Sequence, residues 1–117
     1  MTHPIDVTTA RHRLETERAA LQASILEVTQ TLDQPDERLT DVLDVAEAAS
    51  ERQLQSTLLT QSQHHLQQVE AALRRLEAGA YGLCERCGQP IQPERLSVLP
   101  YTTTCFNCQT RHEQAHG

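Results

Sequence analysis

The fold of this 117-residue chain is decided by residues 81–108, which read YGLCERCGQPIQPERLSVLPYTTTCFNC. Two Cys-x-x-Cys pairs, Cys84 with Cys87 and Cys105 with Cys108, frame seventeen intervening residues. Each pair is typical of a tight turn that presents two thiolates, and two such turns complete a tetrahedron around zinc. Gly88, directly after the first pair, suits such a turn. We therefore predict one structural Zn²⁺ held by these four cysteines.

The same residue types serve other chemistry, which leaves alternatives open. Four thiolates leave no coordination position for water, so catalysis by the bound metal is disfavoured. A redox dithiol or an iron–sulfur site would also use cysteine pairs, although a reducing compartment favours metal ligands over disulfides.

Upstream of the cysteines, apolar residues recur at the seven-residue spacing of a coiled coil. The series are Leu14, Leu21 and Val28; Ile25, Leu32 and Leu39; Leu59, Leu66 and Leu73; and, three positions after these, Ser62, Val69 and Leu76. Pro35 interrupts the pattern, because proline lacks the helical N–H donor and restricts the residue before it. We predict helix 1 at about 8–32 and helix 2 at about 41–78, with Gly79 as its C-cap.

These elements predict an all-α fold: an antiparallel coiled-coil helical hairpin followed by a C-terminal four-cysteine zinc finger with a short C-terminal helix. The hairpin would occupy residues 1–80, with an acidic tip at about 33–46, and the zinc-finger module residues 81–117. The boundary lies where the composition changes to glycine, proline and cysteine.

Charge and composition exclude several classes of protein. The chain is 38% hydrophobic with three aromatic residues, too few for a large globular core. Residues 33–51 hold seven acids against one base and so account for the whole net charge of −6. Binding to nucleic acid, including sequence-specific DNA binding, is not expected, because it needs clustered cations. Without a long apolar stretch or the apolar core of a secretion signal, we expect a cytoplasmic protein without membrane contact.

The acids of the tip have a structural explanation as well as a functional one. Asp41 can cap helix 2 with Asp44 three residues later, as in a capping box, and the helix dipole favours both charges. That account does not explain why a net charge of −6 collects at the tip of a hairpin. No glycine-rich phosphate loop and no nucleophile with a nearby base occur in the sequence, so an enzyme is not expected.

Tip and cysteine module together resemble the DksA/TraR family of transcription factors. The zinc-finger motif of the family is matched by residues 81–88, Ile91, Arg95, Leu96, Pro100 and residues 105–108. The tip motif, Asp-x-x-Asp-x-Ala, is matched by Asp41, Asp44 and Ala46. The resemblance covers about residues 35–113. The first helix is similar to the family only in its general type.

The resemblance implies a regulator that binds bacterial RNA polymerase at the rim of its secondary channel and inserts the acidic tip toward the active centre. Asp44 and Asp41 would act on groups beside the catalytic magnesium, and Ala46 would allow close approach of the backbone. Charge at the end of a narrow channel is poorly screened, so one carboxylate can have a large effect there.

Other positions depart from the family pattern. The family uses basic residues to hold the alarmone ppGpp in the stringent response, and this chain has Gln68, Leu99 and Gln109 at those positions. Where the family has basic residues that contact the channel rim, this chain has Thr57 and Gln61. Without these cations a ppGpp contact is not expected. Two rival functions remain: a zinc-ribbon adaptor between proteins, and a thiol redox or metal-responsive switch.

Overall fold

The structure is a computed structural model that describes residues 6–34 and 41–116. Its helices are α1 (Val7–Asp33), α2 (Val42–Glu77), α3 (Pro93–Val98) and α4 (Phe106–His116). Within the described residues, extended pairing is limited to one isolated antiparallel bridge between Leu83 and Pro90. The predicted all-α fold is therefore confirmed. The predicted acidic tip falls in part on residues 35–40, as does Leu39 of the seam, and these lie outside the described residues.

The start of α1 and the end of α2 both lie where the local chemistry predicts. Asp6 caps α1, since its Oδ1 accepts hydrogen bonds from the N–H groups of Thr8 and Thr9 at 3.1 and 3.2 Å. At the end of α2, Gly79 has φ of 74° and donates to the Leu76 carbonyl at 3.2 Å, and the next N–H donates to the carbonyl of Arg75 at 2.9 Å. This pair of bonds is a Schellman motif, so the predicted C-cap at Gly79 is confirmed.

The chain divides into two compact units, which we name by their place in the sequence. The central unit is Ala19–Leu66, and the terminal unit combines Met1–Arg18 with Gln67–Gly117. Both divisions fall within the long helices. The predicted boundary at residues 79–81 instead follows the change in composition.

The central unit is held by a shallow seam. Its predicted seam residues are half-buried, namely Leu21, Ile25, Val28, Leu32, Leu59, Ser62 and Leu66. Leucines outside the seam are far more exposed: Leu26 by 58%, Leu54 by 60% and Leu58 by 50%. The seven-residue pattern therefore identified the packed face correctly. Arg52 adds a polar link, because its guanidinium donates to the carbonyls of Leu32 and Gln34 at the end of α1.

The terminal unit has a true core. Leu14, Val69 and Ala72 have no exposed surface, and Leu73 and Leu76 are also buried. The side chain of Arg13 donates to the carbonyl of Ser97 at 3.0 Å, which links α1 to α3 inside this unit. No helix in the described part of the chain combines the length and apolar character that a membrane crossing requires.

Candidate metal centre and acidic tip

The first cysteine pair lies in a tight loop after α2. Gly82 is buried with φ of 89°, and its carbonyl accepts a hydrogen bond from the N–H of Ile91 at 2.7 Å. The N–H of Cys84 donates to Gln89 at 2.8 Å, and the N–H of Gly88 donates to the Cys84 carbonyl at 2.9 Å. Gly88 has φ of 75°, a left-handed conformation that glycine adopts without steric cost. Main-chain hydrogen bonds thus define the conformation of this loop.

The second pair lies at the start of α4. The N–H of Cys108 is 3.5 Å from the Sγ of Cys105, and the N–H of Gln109 donates to the Cys105 carbonyl at 3.0 Å. The N–H of Glu85 donates to the carbonyl of Thr103 at 2.8 Å. The two cysteine loops are therefore connected directly through their main chains.

The structure brings the four predicted ligands together. Their Sγ atoms lie within 4.8 Å of one another, and those of Cys87 and Cys105 are 3.8 Å apart. Metal–sulfur bonds of about 2.3 Å in a tetrahedron need sulfurs roughly 3.8 Å apart. Cys87 is exposed, and the other three thiols are buried. Donor type and spacing both fit a zinc ion.

The surroundings of the thiols move their pKa values apart. Burial raises the pKa of Cys84, but backbone hydrogen bonds, the strongest from Cys105, outweigh it and lower this pKa to about 6. A backbone hydrogen bond from Cys108 lowers the pKa of Cys105, whose side chain in turn raises the pKa of Cys108 to about 12. Thiols that share one site oppose each other's ionisation. A divalent cation resolves this conflict, because it binds all four as thiolates.

The ligands are themselves part of a small core. Cys84, Cys105 and Cys108 form a buried cluster with Ile91 and Leu96, against which Tyr81 packs. Burial raises the pKa of Tyr81, and its hydroxyl donates to the carbonyl of Pro100 at 2.9 Å. Three of the five cluster members are predicted metal ligands, so a bound metal would also support this core.

Two arginines hold this module: Arg95, which belongs to the predicted zinc-finger motif, and Arg75, which no sequence pattern indicated. The Nε of Arg95 donates to the carbonyl of buried Thr104 at 3.0 Å. The guanidinium of Arg75, near the end of α2, donates to the carbonyls of Ala80 and Leu83 at 3.2 and 2.7 Å. Arginine near a helix C-terminus often satisfies carbonyls in this way, but its acceptors depend on the folded loop and leave no trace in sequence spacing.

The tip residues lie in the central unit, at the start of α2. Asp41 precedes the helix, and its Oδ1 accepts the N–H of Leu43 at 3.2 Å, as predicted for an N-cap. Asp44 lies in the first turn and is half-buried, whereas Ala46 is exposed. Val42 and Leu43, between the two acids, are 82% and 73% exposed.

The remaining predicted positions are distributed over both units. Thr57 and Gln61 are exposed on α2 in the central unit. Gln68, Leu99 and Gln109 belong to the terminal unit and are half-buried. Gln109 is engaged at both ends of its amide, since Oε1 accepts from the Thr104 hydroxyl at 3.0 Å and Nε2 donates to Glu113 at 3.1 Å.

Comparison with known proteins identifies relatives of this chain. Residues 79–114 match a family model described as the prokaryotic dksA/traR C4-type zinc finger. An uncharacterized protein of Aquifex aeolicus is 40% identical over 52 residues, which are 44% of this chain and 36% of that protein. The RNA polymerase-binding transcription factor DksA of Caulobacter vibrioides is 33% identical over 88 residues, 75% of this chain and 62% of that protein. The chain thus spans between about a third and three-fifths of the length of these curated relatives.

A solved structure extends the likeness beyond the cysteine module. Transcription factor DksA2 of Pseudomonas aeruginosa has a similar fold, with a TM-score of 0.77 and 32% sequence identity. The similarity covers 94% of this chain and 84% of that one. Both long helices are therefore part of the shared architecture.

Proposed function

Because this chain belongs to the DksA/TraR family of C4-type zinc-finger proteins, we propose that it binds bacterial RNA polymerase at the secondary channel and regulates transcription there. The observation that carries this proposal is the presence of both family features in one chain of the family fold. A four-cysteine cluster lies in the terminal unit, and Asp41, Asp44 and Ala46 lie at the start of α2 in the central unit.

We assign the cysteines a structural role. Cys84, Cys87, Cys105 and Cys108 would hold one Zn²⁺, and four thiolates leave the ion no open position for substrate or water. The metal would stabilise the small core that its own ligands form. Regulation by contact with polymerase requires no reaction on this chain, so the proposal treats the protein as a non-enzyme.

The tip would supply the regulatory contact. Asp44, with its neighbour Asp41, would act on charged groups beside the catalytic magnesium of polymerase, and the short side chain of Ala46 would let the backbone approach. Asp41 is already used as the cap of α2, whereas Asp44 carries a charge in the first turn that capping by Asp41 does not require. Asp44 is therefore the residue on which we place the effect.

This assignment is tested by Asp44→Asn, which keeps the shape of the side chain and removes its charge. We expect the variant to bind polymerase with the affinity of the wild type and to lose the effect on promoter-complex lifetime. Glu47→Gln is the matched control, because Glu47 is an exposed acid of the same helix. An Asp44→Asn variant with full activity in vitro would disprove the role of the tip. A wild-type chain that fails to bind polymerase would disprove the proposed function itself.

We propose further that the chain acts without a shared ppGpp site. Leu99 and Arg95 line a groove of about 500 Å³ whose walls include exposed Val98 and Phe106, which offer nothing to a phosphate. Gln109 is already occupied by two side-chain partners, and the Nε of Arg95 by the Thr104 carbonyl. A polyphosphate needs several charge-assisted hydrogen bonds, and Arg95 is the one cation among the described residues that line this groove.

The measurement is the lifetime of promoter complexes with and without ppGpp, on a polymerase whose other alarmone site is disabled. We expect the protein to change the lifetime by the same factor in both conditions. A clear synergistic shortening would show that polymerase supplies enough cations by itself or that Arg95 exchanges its carbonyl partner for phosphate.

One observation favours the thiol switch as a second candidate function. Cys87 is the exposed member of the cluster and can meet an oxidant that the buried thiols cannot. Zinc stoichiometry and thiol titration before and after mild peroxide treatment separate the two functions. If the zinc is only structural, mild peroxide treatment should leave both the zinc content and the effect on transcription unchanged. If the thiols act as a switch, the same treatment should release zinc and change the effect on transcription.

A further inference from the structure

We propose that Arg52 is a positioning residue for Asp44, an inference that rests on the proposed function of the tip. Its guanidinium donates through Nη2 to the carbonyl of Leu32 and through Nη1 to that of Gln34, at 3.4 Å for the second. Leu32 lies in the last turn of α1, where the carbonyls have no partners within the helix, and Gln34 directly follows α1. The donor belongs to α2, so this one side chain joins the end of α1 to α2 within the central unit.

The position of Arg52 on α2 relates it directly to Asp44. Residues four apart lie on the same side of a helix, so Asp44, Ala48 and Arg52 form one row. Along this row Asp44 is half-buried, Ala48 is only 2% exposed and Arg52 is bonded to α1. The side of α2 that Arg52 holds is therefore the side that carries Asp44.

Among the described residues, little apolar surface is buried at this end of the helix pair. Ala48 is the one fully buried hydrophobic residue of the unit among those described, and Leu32 and Val28 of the seam are half-buried. A methyl group and a shallow seam allow rotation of one helix against the other at low cost. Two hydrogen bonds from a planar guanidinium restrict that rotation, because the rigid group fixes the angle between its N–H donors.

The charge of Arg52 is a weaker explanation for any effect on the tip. Eight residues of helix separate it from Asp44, a rise of about 12 Å. This distance exceeds the screening length of about 8 Å at physiological ionic strength. Geometry rather than attraction is thus the expected means by which Arg52 acts on Asp44.

The test compares Arg52→Ala and Arg52→Lys with Arg74→Ala, all in the full chain with zinc bound. Lysine keeps the charge but cannot direct two fixed donors at two carbonyls. Arg74 is the matched control, since it is an exposed arginine of the same helix for which the described residues offer no side-chain partner. Polymerase affinity and promoter-complex lifetime are measured separately for each variant.

We expect Arg52→Ala and Arg52→Lys to keep the affinity of the wild type and to lose about fivefold or more of the effect on lifetime. That is well within the roughly hundredfold cost that 1 Å of misplacement can have at a reacting centre. Arg74→Ala should match the wild type. In the free protein, hydrogen exchange at Asp33 and Gln34 should become faster in both Arg52 variants, which reports the loss of the link without polymerase.

Three outcomes would overturn the inference. In the first, Arg52→Ala changes promoter-complex lifetime as much as an active wild type does; in the second, Arg52→Lys does so. In the third, the variants lose affinity for polymerase in proportion to their loss of effect on lifetime. The first would show no role, the second a role of charge alone, and the third a role in docking or general stability. A wild-type chain that does not affect polymerase is a different result, because it rejects the proposed function while exchange at Asp33 and Gln34 still reports the link.

Discussion

The two compact units differ most in how completely they bury their apolar residues. In the terminal unit Leu14, Val69 and Ala72 have no exposed surface, whereas the seam residues of the central unit are half-buried. Burial of apolar surface is the main favourable term in folding. The comparison indicates that the terminal unit supplies most of the stability, while the central unit presents polar and acidic surface.

The same chemical device has a different importance in each unit. Arg75 in the terminal unit and Arg52 in the central unit each donate to two main-chain carbonyls near a helix end. Arg75 supplements a core of buried side chains and a cysteine cluster. In the described part of the central unit, only Ala48 and a shallow seam lie beside Arg52. Each hydrogen bond of Arg52 therefore contributes a larger part of the interactions that hold α1 against α2 there.

The largest effect should come from removal of a metal ligand in the terminal unit. We expect Cys105→Ser to release zinc and to disorder residues 81–117, because its ligands form much of the local core. The helices α3 and α4 have 6 and 11 residues, against 27 and 36 in α1 and α2, so about a fifth of the helical signal should disappear. Elemental analysis and far-ultraviolet circular dichroism measure both changes.

Asn107→Ser is the control for this variant, since Asn107 is an exposed residue between the two cysteines of the second pair. It should retain one zinc per chain and the full helical signal. Complete unfolding of Cys105→Ser would break the comparison, because it would make the central unit dependent on the metal.

A smaller effect should separate the cores of the two units. Leu14→Ala leaves a cavity at a site with no exposed surface and should cost about 2–5 kcal/mol of unfolding free energy. Leu26→Ala changes a side chain that is 58% exposed in the central unit and should stay within roughly 0.5 kcal/mol of the wild type. Urea denaturation with zinc present measures both values. Equal losses would mean that burial does not distinguish the units.

The smallest effect should come from the cap of α1. The Thr9 hydroxyl and backbone N–H groups lower the pKa of Asp6 from its usual 3.8. Since folding lowers this pKa, the carboxylate stabilises the folded state above about pH 3.8, and this contribution is lost as the pH falls through the lower folded value. Asp6→Ala should lower the thermal midpoint by a few degrees at most at pH 7.

Asp6→Asn should restore the midpoint of the wild type at pH 7, because asparagine also caps helices well. Titration of the Asp6 carboxyl by nuclear magnetic resonance checks the direction of the pKa shift. A measured pKa of Asp6 at or above 3.8 would refute the hydrogen bonds on which this prediction depends.

Features that depend on near neighbours in the sequence were predictable. The seven-residue series gave the packed face, Pro35 and Gly79 gave the limits of the long helices, and the cysteine spacing identified the four thiols that cluster. Each rests on geometry that repeats within a few residues, such as the turn of a helix or the loop between paired cysteines.

Features that depend on distant partners were not predicted. Arg52 and Arg75 look like ordinary surface residues until the carbonyls that they contact are in place. The helix α3 does have a local signal, Pro93 followed by Glu94, which is a common helix start, but its six residues are too short for periodicity. The role of the tip is a property of a complex and remains a prediction.

The terminal unit is discontinuous in sequence, and this has a consequence for biosynthesis. Val69 of this unit is synthesised more than fifty residues after Leu14 of the same unit. At a synthesis rate of about 5–20 residues per second, the first segment waits on the order of 3–11 seconds for the second. Over its full length α1 buries two residues, Ala10 and Leu14. During this interval Ala10 and Leu14 lack the later residues that bury them in the folded terminal unit.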